Sequence, residues 1–453
     1  MVELWINKKK VDIKPDSEVS LDLTNPFLMY DRLPDSKVSV PAIPITPNNR
    51  RVMGYVDLPL VLGGFQQYLY DLFYNGQHLK KGFFVLTEAG NGYSGAYTDK
   101  NGGFFGDIQT ELISNIDFGT APILPDLSGV AVRFPTIINP DYYGTNATAA
   151  GYLGRMNAYG ANGYDTSQPI VPMVRLRWLL EAIASKAGVT LAGSYFGSQY
   201  DDLLLYNTRE IEAANAVTIR QHLPDMTVEN FFLELRKLLN LSYRVDAVNK
   251  RMTIDFWDEQ QANSGVVDWS RKAVLGISKT PELNKRVQLG SELDGSDQLM
   301  KDRPTAMADY TTAGIEGNLA TLRSKFSTTL MDAGTGLPTV RQVGRSPKYN
   351  QLTQSFSGRL LQWEGLQNGM PTATNRGLLW TGPTGLAATR WAKTERLRQN
   401  TEYVKQGFNL TAADLAQLNF AKKVHVNGVN YWIINVVVTL PIRKPAQVLL
   451  MRA

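Results

Sequence analysis

The sequence contains no cysteine among its 453 residues. This absence excludes disulfide bonds, cysteine-bound zinc, thiol nucleophiles and thiolate-bound clusters. Histidine is nearly as scarce, because His78, His222 and His425 lie far apart in the sequence and none has a second ligand at metal spacing. Motifs for a zinc protease, a calcium-binding EF-hand and a nucleotide-binding P-loop are missing too. We therefore expect no metal and no cofactor, and we expect stability to come from packing or from assembly.

Long apolar runs are also missing. The longest mainly apolar run lies near residues 431–438, which suits a buried strand, whereas a membrane span needs roughly 18 or more apolar residues. Near the N-terminus, only Leu4, Trp5 and Ile6 precede a run of lysines, so the apolar core of a secretory signal is absent there. These patterns predict no membrane span and a chain that is made in the cytoplasm or exported without a cleaved signal.

Basic residues slightly outnumber acidic residues. The formal net charge is +5 over the whole chain, and 20% of the residues are charged. A nucleic-acid-binding protein needs basic residues clustered on one face, which this faint bias does not indicate. With 43% apolar residues the chain can bury a core, and its length exceeds the roughly 250 to 300 residues of a single core. We expect several domains and no specific nucleic-acid binding.

Strand signals dominate both ends of the sequence. Val19, Leu21 and Leu23 alternate with polar residues, as in a half-buried strand. Asn75-Gly76 and Asn427-Gly428 each separate two apolar stretches, and Asn-Gly is a strong signal for a tight hairpin. The fold class is therefore predicted as α+β and β-rich, with several domains and with two amphipathic helices in the middle.

Those helices have clear apolar stripes and end signals. MVRLRWLLEAIASKAGVTL ends at Gly188, and DMTVENFFLELRKLLNLSYRV begins after Asp225 or Thr227 and ends at Asn240. Each helix then runs into a strand, and the two align at a constant offset. This offset is typical of an internal repeat of two helix-to-strand modules, but any two amphipathic helices with similar caps would match in part.

The stretch between the N-terminal strands and the helices has a different composition. It is rich in glycine, asparagine, alanine and tyrosine, shows no helical period, and is predicted as a long irregular loop. Tyrosine among glycine and asparagine is typical of an adaptable contact surface. The candidate partner-contact residues are Tyr142, Tyr143, Tyr152, Tyr159 and Tyr164.

These patterns predict four segments. Residues 1–116 form a β-rich N-terminal domain, 117–169 the loop, 170–260 the helix-strand modules and 261–453 a β-rich C-terminal domain. Within the third segment, LSYRV and RMTIDF are predicted to form a hairpin across residues 246–250.

Catalytic motifs are weak. Gly90-Asn91-Gly92-Tyr93-Ser94-Gly95 matches the dinucleotide-binding GxGxxG pattern, but the residues that follow include two adjacent glycines and favour a glycine-rich hairpin over the helix that such a site needs. Carboxylates such as Asp201-Asp202 and residues 255–259 leave open a carbohydrate-active enzyme, whose paired acids need only meet in space. The absence of other signals favours an assembly or binding protein without catalytic residues.

One proline-rich segment, SVPAIPITPNNRRVMGY from Ser39 to Tyr55, carries a resemblance. Its three prolines favour an extended, rigid edge segment, which Asn48-Asn49 would then turn. Together with the hairpin that follows, it resembles a family of tail proteins encoded by phages and prophages of Bacteroidetes. The matching residues are Ser39, Pro41, Ile43, Pro44, Thr46, Asn48, Asn49 and Gly54, followed by Asn75-Gly76, Lys81-Gly82 and Phe84-Val85.

Later stretches resemble the same family in the same order. They are VPMVRLRWLLEAIASKAGVTLAG, LPDMTVENFFLELRKLLNLSYRVDAVNKRMTIDFWD and FNLTAADLAQLNFAKKVHVNGVNYWIINVVV. The resemblance implies a virion structural protein without catalytic activity, whose β-rich domains are β-barrel or sandwich-like hub domains that begin with residues 1–116. It would be a tail or baseplate hub, assembled in the host cytoplasm, that joins the tail tube to the distal tip or spike. It also implies a homo-oligomer, with a trimer favoured, that contacts other tail proteins of the tube, spike or fibre. The alternative is a tail adaptor or receptor- or glycan-binding protein that uses the tyrosine-rich loop.

Overall fold

The computed structural model describes residues 1–31, 36–61, 67–98, 108–122, 129–144, 151–211, 216–246, 249–263, 265–314, 316–349, 351 and 357–453. The α-helices are α1 (Pro47–Met53), α2 (Leu176–Lys186), α3 (Val228–Leu239), α4 (Trp257–Asn263), α5 (Ala392–Asn400) and α6 (Ala412–Ala416). The strands are, in chain order, β1 (Val2–Ile6), β2 (Lys9–Val11), β3 (Val19–Thr24), β4 (Lys37–Ser39), β5 (Gln67–Tyr74), β6 (Gln77–Ala89), β7 (Tyr93–Thr98), β8 (Thr120–Pro122), β9 (Val132–Arg133), β10 (Ile137–Ile138), β11 (Arg155–Met156), β12 (Tyr159–Gly160), β13 (Gly163–Tyr164), β14 (Met173–Arg175), β15 (Thr190–Ala192), β16 (Leu203–Tyr206), β17 (Ala216–Thr218), β18 (Leu241–Asp246), β19 (Arg251–Phe256), β20 (Val266–Asp268), β21 (Ala273–Pro281), β22 (Arg286–Ser291), β23 (Tyr310–Thr311), β24 (Leu319–Ser324), β25 (Leu330–Met331), β26 (Pro338–Thr339), β27 (Arg359–Gln367), β28 (Met370–Thr374), β29 (Glu402–Phe408), β30 (Lys423–Val426), β31 (Val429–Leu440) and β32 (Ala446–Arg452).

The largest sheet joins the two ends of the chain. Its order is β2-β1-β5-β6-β7-β4-β3-β31-β32-β29-β21, and β30 and β20 continue from β31. The N-terminal and C-terminal strands meet where β3 pairs antiparallel with β31, from Val19 opposite Leu440 to Thr24 opposite Asn435. We call this sheet and the helices packed on it the terminal region. Its strands come from both the 1–116 and the 261–453 segments, whose boundaries as domains stay a prediction.

Apolar alternation explains how this sheet is buried. In β3, Val19, Leu21 and Leu23 are buried while the residues between them are partly exposed. Alternating side chains point to opposite faces of a strand, so this pattern places one face of β3 in the core. The predicted hairpins at Asn75-Gly76 and Asn427-Gly428 are confirmed, and all four of these turn residues have positive φ.

The central region packs α2 and α3 against smaller sheets. A five-stranded sheet has the order β28-β27-β16-β14-β9, and a three-stranded sheet has the order β15-β19-β18. The strands that follow the two helices, β15 and β18, both pair with β19. The hairpin predicted across residues 246–250 is confirmed by the antiparallel pairing of β18 with β19.

Both predicted helices are present in the central region, and their ends follow the sequence signals. The Thr227 hydroxyl accepts a hydrogen bond from the Asn230 amide at the start of α3, so Thr227 and not Asp225 is the N-cap. Asn240 ends α3 in the left-handed conformation, with φ 53° and ψ 49°. Gly188, one residue beyond the C-cap Ala187 of α2, has a φ of 67°. The α+β, β-rich class with two amphipathic central helices is confirmed, and the barrel or sandwich arrangement stays a prediction.

The proline-rich segment differs from its prediction in one respect. It begins as β4 and continues through a bridge between Ile43 and Tyr93, but Asn48-Asn49 lie inside helix α1 and do not form a turn. Thr46 caps this helix by accepting from the Asn49 amide, and proline at position 47 suits the first helical turn, which has amides without helical partners. Pattern reading also missed the helices α4 and α5.

Candidate interaction surface

The two ends of the largest sheet differ in how their outer strand is covered. At the β2 end, helix α1 lies against the strand. The Asn48 side-chain amide donates to the Lys10 carbonyl at 3.1 Å, and the Asn49 side chain both accepts from and donates to the Asp12 backbone at 2.8 Å. Lys9 and Lys10 are exposed beside these contacts. Covered backbone groups and lysines both discourage a second strand from pairing at an edge.

Strand β21, at the other end, is open. Within the described residues it pairs with β29 alone, and every residue from 275 to 281 is exposed. The side chain of Leu275 is fully exposed, and that of Ile277 is 54% exposed. A strand of this kind presents unpaired backbone groups and apolar side chains to solvent, which makes it a template for pairing with another chain.

A bulge separates the start of β21 from its exposed part. The register with β29 shifts between Ala273 and Ile277, and Gly276 lies in this interval with a φ of 94°. The Gln406 side chain donates to the Val274 carbonyl at 2.9 Å, which satisfies a backbone acceptor at the irregular point. Since bulges bend a strand and increase its twist, this one redirects the exposed half of β21.

The apolar character continues past the end of β21. Leu283 is 61% exposed, and its carbonyl accepts from the Asn318 amide, which places it next to Leu319, 43% exposed. The one charged residue of the strand, Lys279, pairs with Glu402 at 3.0 Å. We call β21 together with Leu283 and Leu319 the β21 edge surface. Sequence reasoning missed it, because exposure of an apolar residue leaves no mark in a local pattern.

The tyrosines predicted as a contact loop divide into two groups. Tyr142 and Tyr143 are buried in a core cluster, at 0% and 2% exposure, so the expected exposure is wrong for these two residues. The Tyr142 hydroxyl donates to the Thr208 carbonyl at 3.0 Å, and burial raises the pKa of this phenol well above its usual value. The physical reason is packing, since an aromatic ring in this stretch fills the core and hydrogen-bonds through its polar end.

The other three tyrosines are partly exposed. The Tyr152 hydroxyl donates to the Asn139 carbonyl at 2.5 Å. Tyr159 and Tyr164 face each other across the short β12–β13 hairpin, with ring centroids 4.9 Å apart. A role in partner contact stays a prediction for these residues. The stretch around them contains several short strands, although residues 123–128 and 145–150 lie outside the described part of the chain.

The histidines each contact a polar neighbour. His78 lies 2.9 Å from Asp71, and His425 lies 2.9 Å from Asn430. His222 is buried, with Nδ1 3.3 Å from the Asn207 side-chain oxygen, and burial lowers its pKa to about 3, aided by two nearby arginines. In the described part of the chain, no group of three or more acidic or histidine residues could hold a metal ion.

The carboxylates considered for catalysis are bound by arginines or lie at a helix start. Asp201 and Asp202 pair with Arg177 at 2.6 Å and with Arg175 at 2.7 Å. Asp258 and Glu259 open helix α4, and both contact Arg390, at 3.4 and 3.0 Å. Burial raises the pKa of Asp258 although Arg390 opposes it.

The GxGxxG motif forms a hairpin, and the lengths of the helices agree with the prediction of no membrane span. The GxGxxG stretch forms the turn between β6 and β7, as the hairpin interpretation predicts. At Gly95 any side chain would clash, because a Cβ there would lie 2.1 Å from the Val85 carbonyl oxygen across the strand pair. Among the described residues, no helix is long and apolar enough to cross a membrane.

Comparison with known proteins gives structural matches alone. No family model matches the sequence, and no curated protein matches it. A 43 kDa tail protein of prophage MuSo2 from Shewanella oneidensis is 9% identical, with a TM-score of 0.41 over 99% of this chain and 95% of that one. A tail protein from Neisseria meningitidis is 11% identical, with a TM-score of 0.41 over 100% and 95%. Prophage tail protein gp18 from Listeria monocytogenes is 7% identical, with a TM-score of 0.37 over 99% and 94%.

All three matched structures are described as tail proteins, and two of them as prophage tail proteins. With TM-scores this low, the likeness by itself assigns no role to this chain. The named organisms do not include a member of the Bacteroidetes, so that part of the resemblance stays a prediction.

Proposed function

We propose that this chain is a structural protein of a phage tail, where it acts as a tail or baseplate hub and joins the tail tube to the distal tip or spike without catalysing a reaction. It would be assembled in the host cytoplasm and reside in the virion. The ordered sequence motifs support the family, and the open β21 edge surface is the structural observation that carries the role in assembly.

Two of the motif residues contribute directly to the folded core. Ile43 and Asn49 are both fully buried, and Asn49 ties α1 to the backbone beside β2. This placement supports a scaffold protein in which the motif helps to fix the shape of the fold. In such a protein, function depends on surfaces that pair with neighbours, and a metal site or nucleophile is not needed.

The β21 edge surface fits a permanent assembly. Interfaces of obligate oligomers are more apolar than ordinary surfaces and contain few charges. Leu275 and Ile277 supply apolar contacts, and the free backbone edge supplies hydrogen bonds. We therefore propose that the chain forms a homo-oligomer, with a trimer favoured by the resemblance, and that the β21 edge surface contributes to its contacts with further copies or with other tail proteins.

Light scattering after size-exclusion chromatography tests this proposal. We expect the purified chain to elute with a mass greater than that of one 50.4 kDa subunit. In negative stain it should appear as a ring-shaped particle. The double variant Leu275→Lys/Ile277→Lys is expected to elute as a monomer with the circular dichroism spectrum of the wild type, because both side chains are exposed and contribute little to the monomer core.

A matched control uses two exposed apolar residues elsewhere. Leu60 and Val130 are 97% and 70% exposed, so Leu60→Lys/Val130→Lys adds the same charge to other surfaces. The proposal requires this control to keep the wild-type mass. A wild-type chain that is monomeric at micromolar concentrations, or equal dissociation of both double variants, would overturn the role of β21.

The β12–β13 hairpin favours a second candidate function, a tail adaptor or receptor- or glycan-binding protein. Tyr159 and Tyr164 are partly exposed and pack edge to face there, which gives a small aromatic surface. Variants of these two tyrosines that abolish adsorption to the host but leave assembled tails intact would favour this candidate over the hub.

A further inference from the structure

A cationic pocket lies beside the C-terminal strand. It encloses about 350 Å³ between helix α5, the start of β30 and the end of β32. We call it the α5 pocket. Four cationic side chains line it, and its lining contains no aspartate or glutamate; the residues that matter below are Lys393, Arg396, Leu397, Lys423, Trp432 and Arg452.

One face of α5 supplies one wall of this pocket. Lys393, Arg396, Leu397 and Asn400 recur at helical spacing and therefore lie on the same side of the helix. The opposite side is used for packing within the protein, since Thr394 is buried and bonds Asn240 at 3.1 Å. The helical spacing therefore directs the side chains of Lys393 and Arg396 at the pocket.

The β-strands supply the other wall. Lys423 and Trp432 are cross-strand partners in β30 and β31, and the Lys423 ammonium lies 5.2 Å from the centre of the Trp432 ring. Arg452, at the end of β32, lies 3.6 Å from the Glu402 carboxylate, which also pairs with Lys279. This shared partner leaves the Arg452 charge incompletely neutralised.

The two lysines are fixed by neutral partners. Lys393 donates to the Asp258 carbonyl at 3.1 Å, and Lys423 donates to the Gln261 carbonyl at 3.4 Å. Both acceptors are uncharged backbone groups of helix α4, and the buried Asp258 carboxylate, which Arg390 also contacts, interacts electrostatically with Lys393. Four like charges held around one concavity raise the local potential and attract anions.

We propose that the α5 pocket binds an acidic segment of a partner protein, in which carboxylates alternate with an apolar side chain. The carboxylates would pair with Lys393, Arg396 and Arg452, which are exposed at the rim, and the apolar side chain would contact Leu397. Identifying that partner as another tail protein rests on the proposed function, whereas the binding itself does not.

The geometry favours a peptide over a nucleic acid. Single-stranded nucleic acid needs an exposed aromatic ring on which a base can stack, together with a basic groove that follows the backbone. Trp432 is 1% exposed, and its ring already contacts Lys423 and, at 5.0 Å between centroids, Trp257. A separate phosphate ion would be bound best by buried convergent donors, whereas these cations are spread along a rim.

Fluorescence anisotropy with the full chain tests the proposal. The probe is a labelled peptide Glu-Leu-Glu-Phe-Glu, and the comparison peptide is Gln-Leu-Gln-Phe-Gln. We expect the acidic peptide to bind at least about tenfold more tightly, and its affinity to fall as salt is raised, because exposed charges are screened. The variant Lys393→Gln/Arg396→Gln is expected to weaken the acidic peptide by about tenfold or more, since each lost charge pair of this kind is worth on the order of a severalfold change.

The matched control is Lys9→Gln/Lys301→Gln, which removes two exposed cations outside the pocket. It is expected to bind like the wild type, and unchanged circular dichroism would confirm that both variants are folded. Three results would overturn the proposal. The two peptides could bind equally, the two variants could lose the same affinity, or an oligo(dT) strand could bind more tightly and displace the acidic peptide. Displacement by low millimolar inorganic phosphate would assign the pocket to small anions and overturn it as well.

Failure here is distinguishable from failure of the proposed function. The variant Leu275→Lys/Ile277→Lys leaves the α5 pocket residues in place, so it is expected to bind the acidic peptide normally even where the oligomer dissociates. Loss of peptide binding with an intact oligomer would remove the pocket inference alone.

Discussion

The terminal and central regions are both densely packed, but they bury different chemistry. The core of the terminal region consists of apolar side chains from its long strands, with a few buried polar groups such as Asn25, Asn49 and Glu282, whose carboxylate accepts from the Tyr403 hydroxyl. The central region buries a guanidinium together with both of its carboxylate partners, since Arg359 and Asp297 are fully buried and Asp294 is 7% exposed. Apolar cores follow from periodic sequence, whereas buried charges require partners that the fold brings together.

The Arg359 network shows how the central region satisfies such groups. The Arg359 guanidinium lies 2.7 Å from Asp297, 2.8 Å from Asp294 and 3.1 Å from the Gln342 side-chain oxygen. It also lies 4.8 Å from the centre of the Tyr206 ring. Burial opposes ionisation of Asp294 most strongly of all single causes, but the positive charge of Arg359 and the hydrogen bonds to Asp294 together outweigh it and hold the pKa of Asp294 well below its usual value.

Removing the Arg359 guanidinium is expected to have the largest effect on stability. Arg359→Met should lower the free energy of unfolding by about 3 to 5 kcal/mol, because two carboxylates would stay buried without their counterion. The triple variant that adds Asp294→Asn and Asp297→Asn should recover part of this loss, since the uncompensated charges are then gone. Urea unfolding with a mutant cycle measures both quantities.

Two controls tie this result to the regional difference. Arg376→Met removes a guanidinium that is 65% exposed and bound to Glu364, and it should change the unfolding midpoint little. Leu440→Ala in the terminal core should cost about 2 to 5 kcal/mol by leaving a cavity. If Arg359→Met costs no more than Arg376→Met, then buried charge is not what holds the central region together.

The next effect is a dependence of stability on pH. The pKa of His222 is about 3 in the folded chain because of burial and of Arg209 and Arg345, whereas an unfolded histidine titrates near ~6.5. Between these values the unfolded chain binds more protons, so stability falls as pH is lowered. The expected loss is about 1.4 kcal/mol per pH unit once the pH is well below ~6.5.

Unfolding at about pH 7 and about pH 5 checks this expectation. His222→Gln should flatten the dependence, whereas His425→Gln, a partly exposed histidine on the terminal sheet, should leave it as in the wild type. If His222→Gln keeps the pH dependence of the wild type, then other groups produce that dependence. The two regions would then not differ in how their histidines affect stability.

The same contrast explains what could be predicted from the sequence. The hairpins at Asn75-Gly76 and Asn427-Gly428 and the helix ends at Gly188 and Asn240 depend on residues that are close in the chain, so local patterns revealed them. The burial of Val19 likewise follows from alternation within one strand.

Features that depend on remote partners could not be predicted. Arg359 meets Asp294 and Asp297 only after two segments more than 60 positions apart are folded together, and nothing near Arg359 in the sequence marks it as buried. The burial of Tyr142 has the same cause, because its hydroxyl donates to a carbonyl 66 positions later in the sequence. The exposure of β21 and the cations of the α5 pocket are likewise properties of assembled surfaces.

The smallest expected effect compares one helix cap in each region. Thr227→Ala removes the cap of α3 in the central region, where the hydroxyl accepts from the Asn230 amide at 3.2 Å, and should cost about 1 kcal/mol. Thr46→Ala removes the cap of α1, where the hydroxyl accepts from the Asn49 amide at 3.1 Å and also donates to the Asp12 carboxylate at 2.6 Å. The second contact joins α1 to the protected edge at β2.

Because Thr46 serves both the helix and the sheet edge, Thr46→Ala should cost more than Thr227→Ala in urea unfolding. It should also speed hydrogen exchange at the Asp12 amide, which donates to the Asn49 side chain and is held there by α1. Equal costs with unchanged exchange at Asp12 would show that α1 covers β2 through Asn48 and Asn49 alone. The protection of this edge, in contrast to the openness of β21, would then not depend on the helix cap.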